Sequence, residues 1–330
     1  FDADPDLSIA ILSGAGRAYL SRGSASGLAT TPAWTADGDQ EGAGFGIWAA
    51  TAGDVNGDGY SDVVVGAWLY DNSELDAGRA YLYLGSASGL ATTPAWTADG
   101  DQPGAEFGFP ITTAGDVNGD GYADVIAGAS LYDNGQPDEG RAYLYLGSAS
   151  GLATTPVWTV ESNQASAQFG NSVSTAGDVN GDGFADLAVG ARYYDNGQSN
   201  EGRAFVYLGS AVGPGTIASW TAECDQANAH FGFTVATAGD VNGDGFADVI
   251  VGAELYSFGQ ASEGRAFVYL GSAAGLATVP VWTAESDQAG AQFGQVVAVA
   301  GDVNGDGYSD VIVGAPNYDN VHFDEGRAYL

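Results

Sequence analysis

A nine-residue motif, Asp-Val-Asn-Gly-Asp-Gly-aromatic-small-Asp, occurs five times in this 330-residue chain, and successive copies start 62 residues apart. Each copy places oxygen-bearing side chains at positions 1, 3, 5 and 9 of a tight glycine-rich turn. Self-similarity at a fixed period is typical of solenoids and propellers, in which neighbouring units bury one another's apolar faces. The motif therefore predicts a linear or circular array of one repeated unit.

Four patterned segments recur in each unit, and each is a short run bounded by Gly, Asn, Asp or Pro. They are a Trp-Thr segment, a Phe-Gly segment that leads into the aspartate turn, an apolar run that ends in Gly-Ala, and the segment Gly-Arg-Ala-Tyr-Leu-Tyr-Leu-Gly. No segment has a helical period. Such runs predict antiparallel strands, and four-stranded sheets repeated around an axis form a β-propeller.

The predicted fold class is therefore all-β, a β-propeller of four-stranded antiparallel blades. Residues 1–22 form a partial leading repeat, with a degenerate third strand at 7–12 and a fourth strand at 16–20. Because the Trp segment is taken as the first strand, the five complete 62-residue repeats give these predicted blades: 32–84, 94–146, 156–208, 218–270 and 280–330. We expect one propeller domain over 1–330. Its ring could be small, closed by the leading fragment, or part of a longer array.

The Phe-Gly pairs, the aspartate turns and the Gly314-Ala315-Pro316 run of the last copy resemble the FG-GAP repeats of integrin alpha subunits and bacterial surface proteins. The resemblance extends over nearly the whole chain, from about residue 16 to residue 330. It implies a propeller with calcium in its aspartate turns. It also implies that partners are recognised on the face opposite those turns.

The aspartate turns are the predicted metal sites. A tight turn by itself needs no carboxylates, so the three in each motif indicate a cation. Three carboxylates and an amide favour Ca²⁺. None of the five motifs contains His or Cys, which disfavours zinc. An EF-hand is excluded because position 12 is apolar, as at Val65. The resemblance adds the backbone carbonyl of position 7. We therefore expect about five structural calcium ions. The predicted ligands are Asp54, Asn56, Asp58, Tyr60, Asp62, Asp116, Asn118, Asp120, Tyr122, Asp124, Asp178, Asn180, Asp182, Phe184, Asp186, Asp240, Asn242, Asp244, Phe246, Asp248, Asp302, Asn304, Asp306, Tyr308 and Asp310.

The formal charge of the chain is −34, and 15 of its 42 acidic residues belong to the aspartate motifs. Five divalent cations would add ten positive charges and bring the net charge to about −24. So acidic a surface repels nucleic acid and anionic lipid, and we expect neither as a partner. A solvated, halophile-like surface is the alternative explanation for the remaining acids. No apolar run is long enough to insert into a membrane.

The repeated Trp residues are predicted to form core between blades, with sugar-stacking platforms as the alternative: Trp34, Trp96, Trp158, Trp220 and Trp282. Trp48 and Trp68 break the repeat and are better ligand candidates. Six repeated arginines are expected to pair with nearby acids such as Glu139 and Glu201: Arg17, Arg79, Arg141, Arg203, Arg265 and Arg327. His230 and His322 have no nucleophile pattern beside them and receive no catalytic role.

Two loops of each repeat are expected to share the face opposite the metal turns. One is the Tyr-Asp-Asn-Gly-Gln loop at 132–136 and 194–198, and the other is the Asp-Gln loop before each Phe-Gly pair. Together they form the predicted partner surface. The alternative is that their Asp and Asn side chains only satisfy backbone groups of the loops.

These features predict a calcium-stabilised propeller, secreted or at the cell surface, that acts as a non-catalytic adhesion or structural interaction module. Its expected partner is a protein or glycan on the face opposite the calcium loops, or further copies in a larger surface structure. The alternatives are a carbohydrate-binding, lectin-like propeller and the propeller domain of a larger secreted enzyme. An active site should interrupt the repeats, and these copies are nearly uniform.

Overall fold

A computed structural model describes residues 6–10 and 14–330, with the backbone alone for 6–10. These residues form 22 β-strands and no helix. Accordingly, the described part of the chain offers no helical segment that could cross a bilayer. The chain divides into two compact units, residues 1–116 with 120–161 and residues 117–119 with 162–330.

The first unit contains three antiparallel sheets whose strands follow chain order. The first sheet has three strands, β1 (Asp6–Ala10), β2 (Arg17–Ser21) and β3 (Trp34–Asp37). The second has β4 (Trp48–Gly53), β5 (Asp62–Ala67), β6 (Arg79–Tyr83) and β7 (Trp96–Asp99). The third has β8 (Ile111–Gly115), β9 (Asp124–Ala129), β10 (Arg141–Tyr145) and β11 (Trp158–Glu161).

The second unit also contains three antiparallel sheets. The first has β12 (Phe169–Gly177), β13 (Asp186–Ala191), β14 (Arg203–Tyr207) and β15 (Trp220–Ala222). The second has β16 (Phe231–Gly239), β17 (Asp248–Ala253), β18 (Arg265–Tyr269) and β19 (Trp282–Glu285). The third has three strands, β20 (Val296–Gly301), β21 (Asp310–Ala315) and β22 (Arg327–Tyr329).

The predicted all-β architecture with four-stranded antiparallel sheets is confirmed, but the grouping of strands differs from the prediction. Each Trp strand pairs with the strand before it, so Leu20 lies opposite Trp34 and Leu82 lies opposite Trp96. The reason is that the Arg-Ala-Tyr strand and the Trp strand form an antiparallel hairpin. The hydrogen-bonded sheets therefore do not coincide with the predicted blades 32–84, 94–146, 156–208, 218–270 and 280–330. That 1–330 forms a single propeller stays a prediction.

The leading repeat supplies the three-stranded first sheet. The strand expected at 7–12 corresponds to β1, whose described residues are Asp6–Ala10, while residues 11 and 12 lie outside the described part. The strand expected at 16–20 corresponds to β2. Ala10 lies opposite Arg17, just as Ala67 lies opposite Arg79 in the next sheet. The first sheet thus repeats the pairing of the complete ones.

The third strand of each complete sheet is packed on both faces. In β10, Ala142 and Leu144 point to one face while Tyr143 and Tyr145 point to the other, and all four side chains are buried. One hydrophobic cluster in the first unit joins Leu82 of the second sheet to Tyr143 of the third. Within the unit, the core therefore lies between successive sheets, as expected for a repeat in which each copy covers its neighbour.

Three of the repeated Trp residues, Trp34, Trp96 and Trp220, belong to such a core, as predicted, and Trp158 is also buried. The Trp34 ring meets Tyr83 of the following sheet edge-on at a centroid distance of 4.9 Å. Its Nε1–H donates to the carbonyl of Ala91 at 2.8 Å, so the indole satisfies its one polar group as it packs. Trp282 differs, because 41% of its surface is exposed.

Glycine allows successive sheets to approach closely. A Cβ atom added to Gly190 in β13 would lie 2.0 Å from the carbonyl oxygen of Gly232, which belongs to the next sheet of the second unit. Gly314 in β21 occupies the same place in its repeat, but the nearest atom to its added Cβ lies 3.8 Å away. The pair offers a matched test of this contact.

We expect Gly190→Ala to lower the free energy of unfolding by roughly 1–3 kcal/mol, because the methyl group must push two packed backbones apart. Gly314→Ala should leave stability unchanged or slightly raised, since Gly loses more conformational freedom than Ala in a strand. Melting temperatures measured by circular dichroism in calcium-containing buffer check both. Equal melting temperatures for the two variants would show that the sheets do not depend on this close approach.

Candidate metal loops and the opposite face

Each aspartate motif forms the turn between the first and second strands of a sheet. In the first copy the turn starts after Gly53, at the end of β4, and closes at Asp62, the first residue of β5. Gly53 and Asp62 lie opposite each other in the ladder. Gly57 and Gly59 have φ values of +73° and +86°, so the tight reversal requires glycine there.

The carboxylate at position 1 organises the turn. Asp54 Oδ1 accepts hydrogen bonds from the backbone N–H groups of Gly57 at 2.7 Å and Asp58 at 3.1 Å, and its Oδ2 accepts one from Gly59 at 2.8 Å. Asp240 makes the same three bonds at 2.7, 3.1 and 2.8 Å. Bonding of a carboxylate to several amides favours its ionised form. Burial acts to raise the pKa of Asp240, but the N–H groups of Gly245, Gly243 and Asp244 together outweigh it and lower the pKa.

The carboxylate at position 9 ties the turn to the sheet. Asp62 is fully buried, and its Oδ2 accepts from Val55 N–H at 2.9 Å while its Oδ1 accepts from Gly85 N–H at 2.7 Å. Gly85 follows β6, so one side chain joins the turn to the third strand. Asp186 and Asp248 do the same in the second unit. The sequence predicted a metal ligand here but not this structural role.

The carboxylates at positions 1 and 5 of a turn affect the buried carboxylate at position 9. Burial raises the pKa of Asp62 to about 6; the negative charges of Asp58 and Asp54 raise it further, and the two backbone hydrogen bonds oppose the rise. The pKa of Asp186 is raised to about 6 by the same causes. A divalent cation in the turn would offset this repulsion and favour the ionised acids.

The donor set of each turn fits a hard cation, although the side chains do not enclose a site as they stand. Within residues 14–330, no three His, Cys, Asp or Glu side chains converge closely enough to hold a metal. Instead, Asp58 accepts from Tyr60 N–H at 3.0 Å and from the Asn56 side chain at 3.2 Å. Each of these two Asp58 oxygens keeps a second lone pair. Three carboxylates with amide and backbone oxygens are the ligands that Ca²⁺ prefers.

Successive turns contact each other through the aromatic residue at position 7. In the first unit, the Tyr122 ring packs against Gly57 of the preceding turn, where an added Cβ would lie 2.7 Å from Tyr122 Cε1. Ala123 N–H also donates to the Asp54 carbonyl at 2.9 Å. In the second unit, Phe246 packs against Gly181 in the same way. The joint recurrence of Gly at position 4 and an aromatic residue at position 7 is the sequence signal of this contact.

The two loops predicted to share the opposite face do lie together. The Gln102 side chain accepts from Asp133 N–H at 2.6 Å and donates to the Asp133 carbonyl at 2.8 Å. Asp133 Oδ1 in turn accepts from Asp138 N–H at 2.6 Å. We call this pair of hydrogen bonds between a glutamine side chain and one residue's backbone a glutamine clamp. The equivalent clamps are Gln40 on Asp71, Gln164 on Asp195, Gln226 on Ser257 and Gln288 on Asp319. Much of this polar surface therefore satisfies loop backbone, which was the alternative interpretation.

The repeated arginines pair with acids, but with different ones from those predicted. Arg141 bonds Glu161 on the neighbouring Trp strand, because the register places these two residues opposite each other. The other described pairs are Arg17 with Asp37, Arg79 with Asp99 and, at 3.9 Å, with Asp39, Arg203 with Glu223, and Arg265 with Glu285.

Glu139 and Glu201, the predicted arginine partners, are fully buried inside their own loops. Glu201 Oε1 accepts from the N–H groups of Asn196 at 2.5 Å and Gln198 at 3.4 Å. Burial raises the pKa of Glu201. These glutamates thus hold the backbone of their loops, and the described ion pairs of Arg141 and Arg203 are with other acids.

Trp48 and Trp68, which break the repeat, both contact the ring of Phe109 in the first unit. Phe109 lies edge-on to Trp48 at a centroid distance of 5.7 Å and tilted against Trp68 at 5.3 Å. All three side chains are half-buried. Phe109 was not identified from the sequence. The available signal was that Phe109 is aromatic where three other repeats are not, at Ile47, Asn171 and Gln295.

Comparison with solved structures bears on the fold. The crystal structure of Saccharomyces cerevisiae Sqt1 matches with a TM-score of 0.52 and 12% identity, covering 96% of this chain and 67% of that one. Such a likeness concerns architecture alone. With the all-β sheets and the repeats, it assigns the chain to the β-propellers.

Comparison with known sequences bears on the family. Integrin alpha-PS2 of Drosophila melanogaster is 32% identical over 221 residues, 62% of this chain and 15% of that subunit. Integrin alpha-V of Gallus gallus is 32% identical over 240 residues, 68% of this chain and 21% of the subunit. The chain thus spans about a fifth or less of these relatives. The FG-GAP repeat model matches residues 45–83, 110–145, 169–207, 231–269 and 293–330. The chain belongs to the FG-GAP repeat family.

Proposed function

We propose that this chain is a calcium-stabilised interaction module of adhesion type that works outside the cell or at its surface. The single observation that carries the proposal is the aspartate turn, in which the negative charges at positions 1 and 5 help to raise the pKa of the buried carboxylate at position 9. The similarity to integrin alpha subunits supports the adhesion-type role. We propose no catalytic role, because the acids with recurring geometry are committed to turns, loops and strand pairs.

Calcium at these turns would stabilise more than the turns themselves. At a free concentration about 100-fold above the dissociation constant, one bound ion contributes roughly 2.7 kcal/mol. Five such contributions are comparable with the whole net stability of a typical domain, about 5–15 kcal/mol. Extracellular calcium modules often have dissociation constants near 10⁻⁴–10⁻³ M. The ions at such sites would be lost in a cytosol, which is why the proposal places the chain outside it.

We expect removal of calcium to lower the melting temperature sharply. Unbalanced charge in five turns would then oppose folding, and the contact between neighbouring turns would spread the effect along each unit. Circular dichroism melts with excess EDTA, with restored Ca²⁺ and with Mg²⁺ alone provide the measurement, and elemental analysis of the folded protein should give about five calcium ions. An identical melt with and without chelator would contradict the proposal.

Asp244→Asn tests one turn and keeps the backbone hydrogen bond of this side chain, although it removes the bond that Asp244 Oδ2 accepts from the exposed Asn242 side chain at 2.8 Å. Asparagine can still accept from Phe246 N–H, which Asp244 Oδ1 does at 3.0 Å, but one charge is lost. With calcium the variant should melt below wild type, since a ligand is weakened. In EDTA it should melt at or above wild type, because repulsion with Asp240 and Asp248 is relieved. This reversal separates metal binding from loop packing.

Asp225→Asn is the matched control, because Asp225 is an exposed acid outside the turns with a left-handed φ of +53° that Asn also tolerates. It removes the same charge and should respond to calcium as wild type does. If Asp244→Asn were less stable than wild type in both buffers, position 5 would be a packing residue and not a calcium ligand.

A carbohydrate-binding role is the second candidate, and the half-buried cluster of Trp48, Trp68 and Phe109 is the observation that favours it. The strand Trp residues favour it less, because Trp34, Trp96, Trp158 and Trp220 are buried. A glycan array probed with wild type and Trp68→Ala distinguishes the candidates. A lectin should give hits that the variant loses. A module for protein partners should give none.

A further inference from the structure

The end of each sheet opposite the metal turn carries positions that differ from repeat to repeat. They flank two invariant pairs, the Phe-Gly pair where the first strand begins and the Gly-Ala pair where the second strand ends. The residues before Phe-Gly are Gly44, Glu106, Gln168, His230 and Gln292. The residues after Gly-Ala are Trp68, Ser130, Arg192, Glu254 and Pro316. Each copy forms the same strands and turns, so folding does not require these residues to differ. We therefore interpret the variation as a sign of a role other than folding.

In the second unit these variable side chains gather around Arg192. Its Nε–H donates to Gln168 Oε1 at 2.7 Å, and its backbone N–H donates to Asn171 Oδ1 at 2.9 Å. The guanidinium carbon lies 4.9 Å from the centre of the Tyr193 ring and 5.5 Å from that of Phe233. Stacking on aromatic rings and one hydrogen bond thus hold the guanidinium in place.

Arg192 has no acidic partner within 4 Å in residues 14–330, whereas five of the six strand arginines have one. The variable acid of the same unit, Glu254, is engaged elsewhere. Its carboxylate lies 3.3 Å from His230 Nδ1 and accepts from Gln295 Nε2 at 3.0 Å. A half-buried arginine with neutral partners is unusual in a chain of net charge −34.

We propose that Arg192 and the rings of Tyr193 and Phe233 form a contact site for the carboxylate of an acidic side chain on a protein partner. The guanidinium fork matches a carboxylate with two parallel hydrogen bonds. Arginine and tyrosine are also enriched among the few residues that contribute most of the binding energy in protein interfaces. The acidic surface elsewhere repels a negatively charged partner, so recognition would be local to this site. The inference rests on the proposed interaction role and specifies its site and chemistry.

A random peptide library displayed on phage and selected on the full chain in calcium tests the proposal. The recovered peptides should share Asp or Glu at one position, and the best of them should bind Arg192→Ala at least about tenfold more weakly than wild type, because truncating one member of a charged pair leaves the other unpaired. Changing the peptide's Glu to Gln should cause a similar loss in wild type and little further loss in Arg192→Ala.

Two variants serve as controls. Arg22→Ala removes the same charge from an exposed arginine of the first unit and should bind the peptides as wild type does. Arg192→Lys keeps the charge without the planar fork and should bind with intermediate affinity. The calcium-dependent melting temperature, measured for each variant, identifies any loss of binding that comes from unfolding.

The outcomes separate this site from the interaction role on which it rests. Peptides that bind Arg192→Ala as well as wild type, or that share no acidic residue, overturn the site and leave the role intact. Arg192-dependent binding to uronic-acid glycans on an array, without any peptide binding, would assign the carboxylate to a carbohydrate and overturn the choice of a protein partner. Failure of wild type to bind any peptide or glycan counts against the interaction role itself.

Discussion

A buried carboxylate that joins two backbone segments is the interaction on which the rest of each four-stranded sheet depends. Asp62 gives one oxygen to Val55 N–H inside the aspartate turn and the other to Gly85 N–H after the third strand. A carboxylate without water is costly unless its oxygens are hydrogen-bonded. The turn must therefore stay closed to satisfy Asp62, and a closed turn keeps the Asp54 and Asp58 carboxylates close together. The hydrogen bonds of Asp62 thus close the turn and also bring its acidic side chains near one another.

Close contacts also join each motif to the next one within a unit. The ring at position 7 of one turn occupies the space over the glycine at position 4 of the preceding turn, as Tyr122 does over Gly57. Gly190 faces the Gly232 carbonyl of the next sheet with no room for a side chain. Interiors packed this closely tolerate little displacement. An insertion between two turns would have to be absorbed in an exposed loop so that both contacts survive.

The two ends of each sheet are under different constraints. At the turn end, the same residues recur because the same amides must be capped in every copy. At the other end, glutamine clamps and buried glutamates hold the loops, and the positions between them are free to vary. The first unit places Trp48, Trp68 and Phe109 there, whereas the second places Arg192, His230 and Glu254. The strands and turns are thus the same from repeat to repeat, whereas the side chains at this end of the sheets differ in chemistry.

The sequence by itself determined the strands, the turns and the family, because alternation of side chains, glycine-rich reversals and a 62-residue period are local or repeated patterns. Only the tertiary structure decided the rest. The sequence could not show that Trp34 joins the sheet before it, or that Arg141 pairs with Glu161 and leaves Glu139 buried, because register depends on hydrogen bonding between strands. Nor could it show that Gln168 and Arg192 meet. Their contact exists because β12 and β13 run antiparallel and bring residues 24 positions apart to one end of the sheet.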